Sequence, residues 1–259
     1  MNYPAVSSNT LFHFTSERKY LLSILQNNFQ SRYCFEILSG AMAKTKLPDW
    51  WNRAIPMTCF CDLTLSNTSK HLETYGNYGI GLTKEWGQRN GITPVLYVHE
   101  DSPLIECVKV SVAALEQSLI RSMNGNDDDV LNRIADGLKS LIDFTKPYVG
   151  NFKRRGKIVK DVRFYDEREW RYVPQNAPVL TETDIKNATL LKNVTDEVWK
   201  TSTLEFSPDD VKYIIVEKDS EILDMYKEIK NIKSPKYSDD EIKKLQTRII
   251  SAEQIRDDF

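Results

Sequence analysis

Glu167 and Glu169 stand two residues apart in the stretch FYDEREWRYVP, residues 164–174. Residues two apart on a strand share a face. A strand here therefore predicts Glu167, Glu169 and Arg171 on one side, and Trp170 and Tyr172 on the other as the core side. Neighbouring carboxylates raise one another's proton affinity unless a cation compensates. Such a pair suits general acid–base work, or the stabilisation of positive charge that builds up in a reaction. Arg163, Arg168 and Arg171 lie close enough in sequence to neutralise both, which would turn the same pattern into a ladder of ion pairs.

Other residue types that carry chemistry are sparse. The histidines are His13, His71 and His99. His13 lies between Phe12 and Phe14, and reads as half-buried and bonded to a backbone carbonyl. Cys59 and Cys61, with His71 and His99, supply metal-ligand types. They lack the Cys-x2-Cys spacing of structural zinc and flank Phe60 in an apolar run, so no metal is expected. The glycines of YGNYGIG (75–81) miss the dinucleotide-binding spacing and read as a tight turn with close backbone approach. Lys153, Arg154, Arg155, Lys157 and Lys160 form a basic run within NFKRRGKIVK (151–160). It reads as a solvated loop, or as one that contacts nucleic-acid phosphates.

Hydrophobic periodicity gives the elements that position these residues. TLFHF (10–14) reads as a strand, with Thr15 or Ser16 capping a helix over about 17–28. AIPMTCFCDL (54–63) reads as a buried strand. Residues 66–76 read as a short helix stopped at Gly76, 78–83 as a strand or turn, and 93–99 as a strand. Apolar spacing over 109–144, interrupted by NGNDDD (124–129), predicts an inserted helical hairpin. Strand signal returns at 162–173 and 211–217, the latter preceded by a turn at 207–210. The expected organisation is one α+β domain over 1–217 and a charged helical extension over 218–259, broken at Ser234-Pro235.

The chain has 259 residues and a net charge of −2, enough to bury a core and without a global charge that demands a nucleic-acid or membrane partner. No stretch reaches the length of a membrane span and no targeting segment is evident, so a cytoplasmic protein is expected. Cys34, Cys59, Cys61 and Cys107 are too few and scattered for a disulfide framework and read as free thiols.

Several stretches taken together, LFHFTS with LLSIL, PMTCFCDLTLS, YGNYGIGLTKEWG, PVLYV and FYDEREWRYVP, resemble the AbiGi family of bacterial abortive-infection proteins. The resemblance runs over about residues 11–175, with VKYIIV (211–216) beyond it. It implies a role in phage defence as the antitoxin partner of a toxin encoded nearby. A more distant likeness concerns a strand with His followed by Thr, then a helix ending SIL-x-x-x-F. This is similar to the start of ADP-ribosyltransferases, and implies a split mixed sheet with NAD as substrate. On that likeness His13 and Thr15 hold the dinucleotide, and Tyr78, or Tyr75 in its place, stacks on the nicotinamide. Glu169 is then the catalytic carboxylate, and Glu167 orients or deprotonates the acceptor. The alternative is a non-catalytic antitoxin that neutralises its partner by binding.

Overall fold

The computed structural model describes residues 8–37, 52–122, 129–154, 157–175 and 177–258. Strand β1 (Thr10–Thr15) leads into helix α1 (Arg18–Asn27), which buries Leu21 and Leu25. Strand β2 (Arg32–Glu36) precedes β3 (Arg53–Cys61), whose nine residues are nearly all buried. A 3₁₀ turn at Leu65–Asn67 and α2 (Ser69–Tyr75) follow, then β4 (Tyr78–Thr83) and α3 (Lys84–Arg89). The Thr83 hydroxyl caps α3 by accepting from the Trp86 N–H at 3.1 Å, which seats the fully buried Trp86. Short strands β5 (Thr93–Pro94) and β6 (Leu96–Val98) lead to α4 (Pro103–Ser122) and α5 (Asp129–Asp143). Then come β7 (Thr145–Pro147), β8 (Val149–Arg154), β9 (Lys157–Arg163) and β10 (Glu169–Tyr172). Helices α6 (Glu182–Lys186) and α7 (Ala188–Thr201) precede β11 (Val211–Val216). The chain ends on α8 (Ile222–Lys233), α9 (Asp239–Gln246), β12 (Ile249–Ser251) and α10 (Ala252–Asp258).

Eight strands form one mixed sheet in the order β12-β11-β4-β1-β3-β10-β5, with β2 also on β3. The β11–β12 pair is parallel, whereas β1 is antiparallel to both β3 and β4. Strand alternation sorts the side chains onto two faces. Leu11, Phe60, Ile80 and Ile214 join one core with Trp86, Met225 and Ile229. Phe12, Cys61 and Ile215 join another with Leu72, Ala252 and Ile255. Burying each large apolar side chain contributes about 1.5–3 kcal/mol. A smaller cluster of Val98, Ile105, Val112 and Ile142 belongs to the α4–α5 hairpin.

The α+β class, the helical hairpin and most of the expected strands are present. The differences have local causes. Glu17, not Thr15 or Ser16, occupies the N-cap of α1, and makes no side-chain cap. The hairpin starts early, at Pro103, a residue favoured in a first helical turn. The expected separating loop falls mostly at 124–128, outside the described residues, and Asp129 already begins α5. The 93–99 strand is interrupted: β5 pairs β10, whereas β6 pairs β7. The basic stretch 151–160 is strand rather than loop over its described residues, because β8 and β9 pair antiparallel. The C-terminal segment is helical but also contains β12, which is held in the main sheet by β11.

Candidate functional site

FYDEREWRYVP is not one strand. Phe164–Glu167 forms a 3₁₀ turn, and Arg168 takes a left-handed conformation at φ +43° before β10 begins. In β10, Glu169 and Arg171 stand opposite Cys61 and Cys59 of β3. The charged side of the strand is the deeper one: Glu169 is 5% exposed and Arg171 1%, whereas Trp170 and Tyr172 are half-buried. The expected arrangement, aromatic side inward and carboxylates outward, is corrected on this point. Trp170 and Tyr172 lie against the first core from its margin, while the other face of β10 is covered by the α5–β7 junction.

That covering supplies the compensating charges. Lys146 of β7 donates to Glu167 at 2.7 Å and to Glu169 at 2.6 Å. Arg171 Nε donates to Glu169 at 2.6 Å. The rest of the Arg171 guanidinium donates to the Asp143 carbonyl at 2.8 Å and to Glu36 at 3.2 Å. Tyr75 of α2 donates its hydroxyl to Glu167 at 2.7 Å, and the Glu169 N–H donates to the Tyr97 hydroxyl at 2.7 Å. Asp143, which ends α5, accepts from Arg53 at 2.6 Å and from Lys139 at 3.0 Å. Burial pushes the Glu169 pKa up, but Arg171 and Lys146 overcome it and hold the carboxyl well below the usual range. Burial also opposes the charge on Lys146, and Glu169 and Glu167 keep it protonated. Burial, then the charge of Glu167, pushes the Tyr75 phenol up. Both oxygens of Glu169 are therefore occupied by cations in a water-poor interior. The carboxylate is ionised and sequestered.

Glu167 marks the edge of this cluster, where an open cleft of about 1420 Å³ lies between α2 and the segment from β9 through the 3₁₀ turn. His71 and Tyr75 line it from the α2 side, with ring centroids 5.5 Å apart. Burial lowers the His71 pKa, so its imidazole is neutral at pH 7.

The sequence-derived site residues divide into two groups. Glu167, Glu169 and Tyr75 come together through Lys146. His13 and Tyr78 lie on the opposite face of the sheet. His13 Nδ1 is 2.8 Å from the Cys59 carbonyl, and its ring packs on Phe29 and Phe60 at 5.4 and 5.8 Å. Burial lowers its pKa, so it carries its proton on Nδ1 as a donor to that carbonyl. Tyr78 stands opposite Thr15, and its hydroxyl lies 3.1 Å from Glu221 and 3.4 Å from Glu217. Sequence reasoning missed Lys146, Asp143 and Tyr97. The signal for Lys146 was a lone cation in FTKPYV, which has meaning only once β7 is known to cross beneath β10. Among the described residues, no group of three or more His, Cys, Asp or Glu gathers as a metal site. No helix among them is long and apolar enough to cross a membrane.

Fold and site together define an α+β protein with a large mixed sheet, an ion-paired interior beneath it and an open cleft at its margin. Residues 27–217 match the family model described as "Putative abortive phage resistance protein AbiGi, antitoxin". Over 206 residues the chain is 31% identical to the abortive phage resistance protein AbiGi of Lactococcus lactis subsp. cremoris, an alignment covering 70% of this chain and 78% of that one. The chain belongs to the AbiGi family of abortive phage resistance proteins. No solved structure matches it.

Proposed function

We propose that this chain is the antitoxin of an abortive-infection pair and neutralises a partner toxin by binding it rather than by turning over a substrate. The family description supports the antitoxin role. The observation that favours binding over catalysis is the state of Glu169. A carboxylate that stabilises an oxocarbenium-like ribose must reach the substrate as charge develops. Glu169 is 5% exposed and accepts from both Lys146 and Arg171. The ADP-ribosyltransferase reading also needs His13, Tyr78 and Glu169 to face one NAD molecule, and the sheet lies between the first two and the third.

The test is co-expression with the protein encoded beside it. Growth arrest by that protein alone, relieved by this chain with recovery of a stoichiometric complex, is the expected result. Nicotinamide release from NAD is measured on the same preparation and is expected to be absent. Release by the wild type that disappears in a folded Glu169→Gln variant would overturn the binding reading and restore the NAD-using one.

A further inference from the structure

The antitoxin reading leaves the cleft beside Glu167 without a role, and the geometry there points to a ligand. We infer that this cleft and the tyrosines on its rim bind a single-stranded nucleic acid, with phosphates on the cations and bases on the aromatic rings.

The first observation is charge. The acids Glu167 and Asp166 on the β9–β10 side are already neutralised, by Lys146 at 2.7 Å and by Arg163 at 2.8 Å. Lys70, Lys160 and Arg168 are exposed, line the cleft, and make no ion pair among the described residues. Arg256 lines it too and spends its hydrogen bond on the Asn77 amide, which leaves its charge uncompensated. Asp62 also lines the cleft and is paired with Lys84 at 2.7 Å, so the acids left against these four are Glu73 and Asp161. The cleft is thus locally positive on a chain whose net charge is −2. The adjoining stretch 151–160 contains five Lys or Arg and no acid in its sequence.

The second observation is the aromatic rim. Tyr148 and Tyr165 are 38% and 47% exposed, with ring centroids 5.5 Å apart. Tyr97 stands edge-on to Tyr165 at 5.3 Å, and Arg163 reaches the Tyr148 hydroxyl. Tyr165 lines the same cleft as Lys160 and Arg168, and exposed rings beside a cationic cleft form a stacking platform that accepts any base.

The third is backbone strain directed at one wall. Gly150 pairs Val162 while Phe152 pairs Val159, so Lys160 and Asp161 together oppose Asn151 in a bulge. Asp161 sits at φ +56° and Arg168 at φ +43°. Bulges re-aim side chains, and a left-handed conformation is strained for a residue other than glycine. Both strained residues, and Lys160 of the bulge, line the cleft. Its volume of about 1420 Å³ exceeds the roughly 300–1,000 Å³ of small-molecule pockets. That suits a strand of several nucleotides better than one cofactor.

The experiment is fluorescence anisotropy on the full chain, with labelled oligouridine RNA and oligothymidine DNA of about 12 nucleotides. A polyglutamate peptide of similar length is the third probe, and salt runs from about 50 to 200 mM. The expected result is salt-dependent binding of at least one oligonucleotide. Replacing Lys70, Lys160 and Arg168 together by Glu is expected to weaken it by more than about tenfold and to reduce the salt slope by about 2, near 0.7 per lost phosphate contact. Tyr165→Ala is expected to lose roughly tenfold through stacking. Lys192→Glu, on exposed α7, is expected to change nothing. Circular dichroism checks each fold, and the Lys→Gln and Arg→Gln versions replace the Glu set if that set unfolds. RNA bound more tightly than DNA identifies the ribose 2′-hydroxyl as part of the recognition, and equal binding assigns it to phosphate and base alone. Either supports the inference. No oligonucleotide binding at the lowest salt, binding indifferent to these substitutions, or equal or tighter binding of polyglutamate would overturn it. Toxin neutralisation by the same variants is scored separately, so the two proposals fail independently.

Discussion

Lys146 holds two glutamates at once, Arg171 holds one of them and a backbone carbonyl, and Glu169, Lys146 and Arg171 are buried. Removing one partner from such a cluster leaves an uncompensated buried charge, which costs about 3–5 kcal/mol. Glu169→Gln is therefore expected to lower the urea midpoint by that amount of stability, with an unchanged denaturant slope. Converting Glu169, Lys146 and Arg171 together to apolar residues of similar size should recover only part of the loss, because Glu167 and Glu36 then lose their cations. The pH dependence has a definite sign. The folded pKa of Glu169 is depressed, so the unfolded chain takes up the proton first, near the ordinary glutamate value of about 4.3. Its stabilisation is complete above that value and is lost as pH falls toward the folded pKa. Acid titration followed by circular dichroism should show a flatter limb below about pH 4 in Glu169→Gln than in the wild type. The thiols make a second residue-scale prediction. Burial pushes the Cys34 thiol up to about 11, and raises Cys59 and Cys61 further. Cys107 is exposed on α4. At about pH 8 a thiol reagent should modify Cys107 in the native protein, and the other three only after denaturant is added.

At the scale of elements, α2 forms one wall of the cleft and is placed by a single close approach. Gly76 ends the helix at φ +122°, and a Cβ there would lie 2.3 Å from Ser16 Cα and 2.4 Å from the Thr15 carbonyl. Neither neighbour is a flexible side chain. Gly76→Ala is expected to cost about 2–3 kcal/mol in strain and overlap, read as a lower thermal midpoint. It should also shift the NMR signals of His71 and Tyr75, because α2 must move to relieve the overlap. The α4–α5 hairpin is fastened differently. Its own apolar cluster is small, and Arg53 and Arg171 grip Asp143 at the end of α5. The helical insert is joined to the sheet by ion pairs and hydrogen bonds, and its α5–β7 end delivers Lys146 to the carboxylates.

At the scale of the whole molecule, the C-terminal segment completes the sheet. β12 pairs in parallel with β11 through Ile214–Ile249, Ile215–Ile250 and Val216–Ser251. Met225, Ile229, Ile242 and Leu245 from α8 and α9 are fully or almost fully buried in the same core as Leu11 and Trp86. A chain ending at residue 217 would expose that core and the edge of β11. It is expected to be insoluble or to lack a cooperative unfolding transition, whereas the full chain unfolds cooperatively. A soluble, cooperatively folded 1–217 fragment would show instead that the segment is an appended unit.

Local pattern in the sequence was enough to determine the α+β class, a helix over about 17–28, strands near 10–14, 54–63 and 211–217, and the paired helices of the insert. Helical and strand periods record which side chains each element buries, and that information is local. The sequence also marked Glu167 and Glu169 as chemically unusual and Gly76 as a stop. Tertiary structure alone decided what the carboxylates face. Lys146 is separated from Glu169 by 23 residues, and Glu36 from Arg171 by 135. No periodicity reports a partner at that distance, so the charged side of β10 could not be recognised as the buried one. The same holds for His13 and Glu169. Their order along the chain suggested a shared site, but strand parity and register put them on opposite faces of one sheet.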